Sequence, residues 1–200
     1  MTFEVAIFDL GGVVVEVNSD RLVLQISQLC GMSFEEARNI VYHDELLLPF
    51  ELGRITPQTY YEGLKKKLKL SWTYEQFVRA WNGIFVEKKD VTEILKQLRT
   101  RYKLVALSNT NVLHLTYIQQ TFPSLQFHDW IASSDVGMRK PEREFYQFAL
   151  NRAGTRAEKT IYVDDRPEMV EAAKQLGVKA IRFENSKFLQ EELQRLGVNV

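Results

Sequence analysis

Short runs of apolar residues divide the chain into predicted strands. Four runs, 5–10, 104–107, 161–163 and 180–183, are rich in Val, Ile, Leu or Phe and too short for a helix. A weaker fifth run covers 130–133. Because the apolar residues follow one another without alternation, each run predicts a strand buried on both faces, as in a parallel sheet.

Helical spacing of apolar residues fills the segments between these runs. The segments 90–101, 142–152 and 168–176 each place apolar side chains on one helical face. Pro141 suits the first helical position of the second segment, and Gly177 can end the third. Strands alternating with helices predict an α/β fold, a three-layer, Rossmann-like parallel sheet with helices on both faces.

The segment after the first predicted strand breaks this alternation. It contains four helical patterns, and Ser33 with Glu36 forms a capping box that marks a helix start. We therefore expect residues 1–17 and 90–200 to form the core, and residues 18–89 to form a small inserted helical cap. The four patterns cover 21–30, 33–42, 57–68 and 73–81.

Charge and composition exclude several classes of partner. The 200 residues carry 26 basic and 26 acidic side chains, so no net charge attracts nucleic acid or an anionic membrane. The lysine-rich run 65–69 is interpreted as the solvated end of a helix. A single cysteine, Cys30, fits a reducing compartment. No signal peptide or membrane-length apolar stretch is present, so we expect a cytoplasmic protein. Whether it is a monomer or a dimer is left open.

Polar side chains follow the predicted strands at the points where the strands end. In an open α/β sheet, ligands bind beyond the carboxyl ends of the strands, so we expect these side chains to meet at one edge. Carboxylates, a hydroxyl, an amide and a lysine gathered there suit phosphoryl transfer. They are Asp9, Ser108, Asn109, Asp164 and Asp165, joined by Lys140 from the segment before a predicted helix.

Each of these residue types has a physical role in such a reaction. Asp9 can act as a covalent nucleophile, which splits one difficult displacement into two easier ones. An anionic nucleophile repels an anionic phosphate, so a cation such as Mg²⁺ is needed, with Asp9 and Asp165 as its carboxylate ligands. Lys140 neutralises remaining charge, and Ser108 can hold phosphate oxygens. Gly12 lets the backbone approach the ligand closely, so we expect it to line the phosphate.

Four short motifs resemble those of the haloacid dehalogenase-like hydrolase superfamily over nearly the full chain. Asp9 stands in FDLGGV, Ser108 in LSNTN, Lys140 in GMRKPE, and two aspartates in VDDRP. All four occur in the family's order, at predicted strand ends, with a helical insertion after the first. Within the family, LSNTNVLH followed by GMRKPE most resembles phosphatases that hydrolyse α-glucose 1-phosphate. VDDRP and the small cap also look like the phosphatase half of epoxide hydrolase-type proteins.

The resemblance implies a Mg²⁺-dependent phosphatase that acts on a small phosphorylated metabolite, such as a sugar phosphate. Asp9 would become an aspartyl-phosphate, stabilised by Lys140, while Ser108 and Asn109 bind the transferring group. The implied metal ligands are Asp9, the main-chain carbonyl of Gly11, Asp165 and, as a second ligand or an orienting group, Asp164.

Two positions depart from the family pattern. The common Asp-x-Asp motif has its general acid where this chain has Gly11, and such an acid contributes about 10²–10⁴-fold to rate. The sugar-phosphatase subgroup shares this Asp-x-Gly pattern. The family also often has a carboxylate where this chain has Met169, and whether Glu168 replaces it is left open. Glu51 and Arg54 are expected on the cap surface or hinge, from which either can face the leaving group.

Three alternatives remain open at this stage. One is a metal-independent haloacid dehalogenase, which attacks carbon with the same aspartate; the paired acids Asp164 and Asp165 argue against it. Another is a non-catalytic phosphate-binding relative that lost turnover with Gly11. The third is a phosphotransferase, which nothing in the sequence separates from a hydrolase.

Overall fold

Five parallel strands form the central sheet of the protein, for which the computed structural model describes residues 2–199. The strands of the protein are β1 (Val5–Phe8), β2 (Val15–Val17), β3 (Phe85–Glu87), β4 (Lys103–Ser108), β5 (Asp129–Ala132), β6 (Thr160–Asp164) and β7 (Lys179–Arg182). The order in the central sheet is β5-β4-β1-β6-β7, and the two remaining strands, β2 and β3, pair antiparallel in a separate ribbon. This arrangement confirms the predicted parallel α/β sheet.

Helices cover both faces of this sheet. Along β1, Ala6 and Phe8 belong to one apolar cluster, whereas Val5 and Ile7 belong to the cluster on the other face. This explains the continuous apolar run in the sequence, because every residue of a central parallel strand is buried. The helices are α1 (Ser19–Cys30), α2 (Phe34–Tyr42), α3 (Leu47–Glu51), α4 (Pro57–Leu68), α5 (Tyr74–Asn82), α6 (Lys89–Arg99), α7 (Val112–Thr121), α8 (Ser133–Val136), α9 (Arg143–Ala153), α10 (Pro167–Gln175) and α11 (Ser186–Arg195).

Helices α1 to α5 all lie between β2 and β3 and pack around an apolar cluster of their own. Its centre is aromatic: Phe50 stacks on Tyr60 with ring centroids 4.6 Å apart, and Trp81 meets Tyr60 edge-on at 5.2 Å. These helices are the all-helical insertion that the sequence predicts. The division of the chain into a core of 1–17 with 90–200 and a cap of 18–89 stays a prediction.

The register of the sheet determines where the polar strand ends meet. Phe8 of β1 pairs with Ala106 of β4 on one side and with Val163 of β6 on the other. The residues that follow these strands therefore lie side by side at the carboxyl edge. Asp9 is at the centre, and its backbone N–H still donates to the Val163 carbonyl at 2.9 Å.

Two local predictions are wrong. Pro141 does not begin a helix: it lies in a turn closed by the Glu142 N–H on the Arg139 carbonyl, and α9 begins at Arg143. Ser133, predicted as the last residue of the fifth strand, is instead the first residue of α8. Across residues 2–199, every helix is too short or too polar to cross a membrane.

Candidate active site

The Asp9 carboxylate lies at the bottom of the cleft where β1 ends. The residue is 8% exposed, and one of its carboxylate oxygens is 2.9 Å from the Lys140 ammonium. Burial raises the pKa of Asp9, Lys140 opposes this, and the neighbouring Asp164 adds to the rise. A positive charge near Asp9 therefore stabilises its ionised form.

Lys140 is a buried cation held between two carboxylates. It is 2% exposed, and its Nζ atom lies 2.9 Å from Asp9 and 2.7 Å from Asp164. Burial alone would lower the pKa of Lys140, but these two carboxylates outweigh burial and raise it, so the side chain stays charged. The charge opposes the repulsion that an incoming phosphate would meet.

Asn109 fixes the position of this lysine. Its amide Nδ2 donates to the Lys140 carbonyl and its Oδ1 accepts from the Lys140 N–H, both at 2.8 Å. One side chain after β4 thereby orders the loop that carries Lys140. The structure therefore gives Asn109 a positioning function, whereas its predicted contact with a phosphoryl group stays a prediction.

Asp164 and Asp165 face different surroundings although they are neighbours in the chain. Asp164 is fully buried and accepts hydrogen bonds from Lys140, from the Tyr162 hydroxyl and from the Arg166 N–H. Asp165 borders the cleft, and within residues 2–199 it joins no ion pair. Burial, then the charge of Asp164, raises the pKa of Asp165. Asp164 thus orients Lys140, and Asp165 is the carboxylate of the pair that is accessible from the cleft.

Gly12 leaves room for the Asp165 carboxylate. Its φ is +79°, and a Cβ atom there would lie 2.3 Å from the Asp165 Oδ2 atom. The Gly12 N–H donates to the Val15 carbonyl at 2.8 Å, so that donor is already in use. Its predicted contact with phosphate stays a prediction, and the structure shows a steric function instead.

The predicted site residues meet around one cavity of about 570 Å³. One carboxylate oxygen each from Asp9, Asp164 and Asp165 lie within 4.8 Å of one another at its base. Asp164 itself is buried beneath the cavity surface. The sequence-predicted residues that line the cavity are Asp9, Gly11, Gly12, Ser108, Asn109, Lys140 and Asp165.

Sequence reasoning missed Lys88, which also lines this cavity. Its ammonium donates to the Gly12 carbonyl at 2.6 Å and lies 4.9 Å from the centroid of the Phe183 ring. No motif marks it, because it approaches the site from the chain between β3 and α6. Glu168, left open above, pairs with Arg166 at 2.5 Å and is outside the carboxylate cluster.

A family model described as a haloacid dehalogenase-like hydrolase matches residues 6–183. The chain belongs to this family. The match confirms the family resemblance drawn from the four motifs, and the finer resemblance to glucose 1-phosphate phosphatases and epoxide hydrolase-type proteins stays a prediction.

Relatives of this haloacid dehalogenase-like hydrolase include named phosphatases. A sesquiterpene phosphatase of Aspergillus oryzae is 29% identical over 209 residues, covering 98% of this chain and 97% of the relative. A D-ribitol-5-phosphate phosphatase of Bacteroides thetaiotaomicron is 26% identical over 197 residues, covering 94% and 95%.

A solved structure of a related enzyme from Bacteroides thetaiotaomicron, a magnesium complex, shares the fold. It has a TM-score of 0.82 at 25% identity and covers 92% of this chain and 94% of that one. Together these matches show that the chain is a phosphatase-type enzyme of the family.

Proposed function

We propose that this protein is a Mg²⁺-dependent phosphatase that hydrolyses a small phosphomonoester through an aspartyl-phosphate on Asp9. The observation that carries the proposal is the Asp9 carboxylate 2.9 Å from a buried, charged Lys140 at the base of an accessible cavity. A protein that only binds an anionic ligand needs a cation such as Lys140, but it does not need the Asp9 carboxylate at the same position.

The residues at the base of the cavity fit a magnesium ion. Asp9, Asp164 and Asp165 bring three carboxylates together against one ammonium, which leaves negative charge in excess. Burial, together with the charge of Asp164, raises the pKa values of both Asp9 and Asp165. Oxygen donors are those Mg²⁺ prefers. Asp9, Asp165 and the Gly11 carbonyl would hold the ion, which would screen the phosphate charge.

The remaining chemistry belongs to the side chains around the cavity. The Asp9 carboxylate attacks phosphorus and the bond to the leaving oxygen breaks, which gives an aspartyl-phosphate and, once the leaving oxygen takes up a proton, an alcohol. Lys140 balances the charge on the equatorial oxygens, and the Ser108 hydroxyl lies at the same cavity to bind one of them. Water then attacks phosphorus and regenerates the Asp9 carboxylate.

The substrate class is proposed from the lining of the cavity. Glu16, Lys88 and Arg166 add charged groups around the nucleophile. Charged and hydrogen-bonding walls favour a hydroxylated substrate such as a sugar or sugar-alcohol phosphate, the class named for the Bacteroides relative. The Aspergillus relative is named for a sesquiterpene substrate, so an isoprenoid phosphate belongs in the same test.

The test measures phosphate release from sugar phosphates, sugar-alcohol phosphates and an isoprenoid phosphate, with and without Mg²⁺. The native chain is compared with Asp9→Asn, which keeps the shape of the nucleophile but not its charge. Asp135→Asn, an exposed aspartate outside this cavity, is the matched control. We expect Mg²⁺-dependent turnover by the native chain and the control, and at least about a 10³-fold loss in Asp9→Asn.

Other outcomes identify the alternatives. Equal activity of Asp9→Asn and the native chain would refute the covalent mechanism. Halide release from a 2-haloacid without Mg²⁺ would indicate a dehalogenase. Saturable phosphate binding without turnover would indicate a non-catalytic relative, and transfer of the phosphoryl group to added sugar in preference to water would indicate a phosphotransferase.

A further inference from the structure

The site has no proton donor at the position two residues after the nucleophile. Gly11 stands at that position and carries no side chain. An alkoxide is a poor leaving group from phosphorus, so the leaving oxygen needs a proton as its bond breaks. General acid catalysis contributes about 10²–10⁴-fold to such a step. A carboxyl from another element that borders the same space can supply the proton.

Glu51 of α3 is such a carboxyl. It lines a second cavity, of about 190 Å³, which also has Gly11, Ser108 and Asn109 in its wall. These three residues also line the larger cavity around Asp9, so the two spaces adjoin beside the missing acid.

The backbone around Glu51 is fastened to the core at this place. The buried Ser133 hydroxyl donates to the Glu51 carbonyl at 2.7 Å and accepts from the Thr110 N–H at 2.9 Å. Two residues on, Gly53 lies so close to the core that a Cβ atom would be 2.0 Å from the Ser134 carbonyl oxygen. One hydroxyl thus links the cap segment that carries Glu51 to the loop that follows Ser108.

The surroundings of Glu51 suit a group that must hold and release a proton. Burial raises the pKa of Glu51, and the guanidinium groups of Arg139 and Arg166 oppose the rise. The Arg139 guanidinium lies 3.9 Å from the Glu51 carboxylate, a weak ion pair that does not hold the carboxyl in its ionised form. A general acid works best when its pKa lies near the working pH.

We propose that Glu51 is the general acid and base of this site and supplies the function that Gly11 lacks. The proposal rests on the phosphatase function proposed above. As the bond between phosphorus and the leaving oxygen breaks, the Glu51 carboxyl gives its proton to that oxygen. The resulting carboxylate then takes a proton from the water that attacks the aspartyl-phosphate, which restores the carboxyl and releases inorganic phosphate.

The experiment varies the leaving group in the native chain and in Glu51→Gln, which keeps the shape but cannot release a proton. For a sugar-alcohol phosphate, we expect kcat/KM of Glu51→Gln to fall by about 10²–10⁴-fold. For 2,4-dinitrophenyl phosphate, whose leaving group needs no proton, we expect an undiminished burst of one dinitrophenolate per protein. Slow turnover follows the burst, because water attack still lacks its base.

Two further variants make the result specific. Glu45→Gln changes an exposed glutamate in the loop before α3 and should leave both substrates unaffected. Gly11→Asp combined with Glu51→Gln restores an acid two residues after the nucleophile and should recover the sugar-alcohol activity. Among the described residues, a Cβ atom at Gly11 meets only the Val17 side chain, at 3.2 Å, so a small shift accommodates it.

The outcomes separate this proposal from the phosphatase function itself. Glu51→Gln within a few-fold of the native chain on both substrates refutes the role of Glu51 and leaves the phosphatase proposal standing. Proton transfer by Glu51 is also refuted if Glu51→Gln loses both the burst and the sugar-alcohol activity while its unfolding temperature equals that of the native chain. A large loss in Glu16→Gln instead would assign the proton to Glu16. No phosphate release by the native chain would refute both proposals.

Discussion

Replacing Gly12 by alanine tests whether the space it leaves for Asp165 is required. At φ +79° an added Cβ atom meets Asp165 at 2.3 Å from Oδ2 and 2.7 Å from Cγ, so the carboxylate must turn away. A left-handed backbone costs an L-residue about 1–2 kcal/mol, and a side chain forced off its rotamer costs about 0.5–1.5 kcal/mol. We therefore expect Gly12→Ala to lower the free energy of unfolding by about 1.5–3.5 kcal/mol.

The displaced Asp165 carboxylate should also weaken the binding of magnesium. A displaced ligand behaves like the loss of a supporting contact at a metal site, which costs about 10–100-fold in affinity. We expect the Mg²⁺ concentration for half-maximal phosphatase activity to rise by about that factor. Calorimetric titration with Mg²⁺ alone measures the same affinity without turnover.

Gly197→Ala is the matched control for this prediction. Gly197 has nearly the same φ, +78°, but a Cβ atom there meets no other atom of residues 2–199 within 4 Å. It carries the backbone cost without the contact with Asp165, so it should destabilise by about 1–2 kcal/mol and leave Mg²⁺ affinity unchanged. Equal stability and equal Mg²⁺ affinity in the two variants would refute the steric argument.

Three other predictions follow from buried or partly buried cations and one neutral histidine. Lys140→Met leaves the Asp9 carboxylate without its ion pair, so phosphatase activity should disappear. Urea unfolding at pH 8 should show a loss of about 3–5 kcal/mol in the free energy of unfolding. This loss should shrink at lower pH, where Asp9 takes up a proton. Lys88→Met removes the charged donor to Gly12, and we expect a loss of about 1–3 kcal/mol in the same assay, against no change for the exposed Lys66→Met. Burial lowers the pKa of His114 to about 3, below its value near 6.5 in the unfolded chain. The neutral side chain therefore contributes to the free energy of unfolding above pH 6.5, and this contribution is lost as the pH falls towards 3. The free energy of unfolding of His114→Phe should fall less steeply between pH 7 and 5 than that of the native chain, and an equal slope would contradict this.

The sequence predicted where these residues lie in the fold better than it predicted their individual surroundings. Apolar runs without alternation place Asp9 and Asp165 at the carboxyl edge of a parallel sheet, and the structure has both there. Neighbouring residues at the end of a strand point in opposite directions, so Asp164 turns into the protein towards Lys140. Local pattern does not report which member of the pair faces the cleft.

Other features depend on contacts between distant parts of the chain. The strands β2 and β3 have three residues each, and their nearest pair, Val17 and Phe85, is 68 positions apart in the chain. Neither run therefore shows a strand pattern alone. Lys88 lies in the site because that ribbon returns the chain to the core. Glu51 lines a cavity at Gly11 because Ser133 holds its backbone, a contact across 82 positions.

The two hydrogen bonds between the Asn109 side chain and the main chain of Lys140 affect how such a site can change in evolution. Both hydrogen bonds end on backbone atoms, so they are indifferent to the side chain at position 140. Aspartate at position 109 would lack the donor and leucine would lack both groups, so these two hydrogen bonds constrain position 109 and place no constraint on the side chain at position 140. The fold can therefore exchange the chemistry carried by the loop and keep the loop where it is.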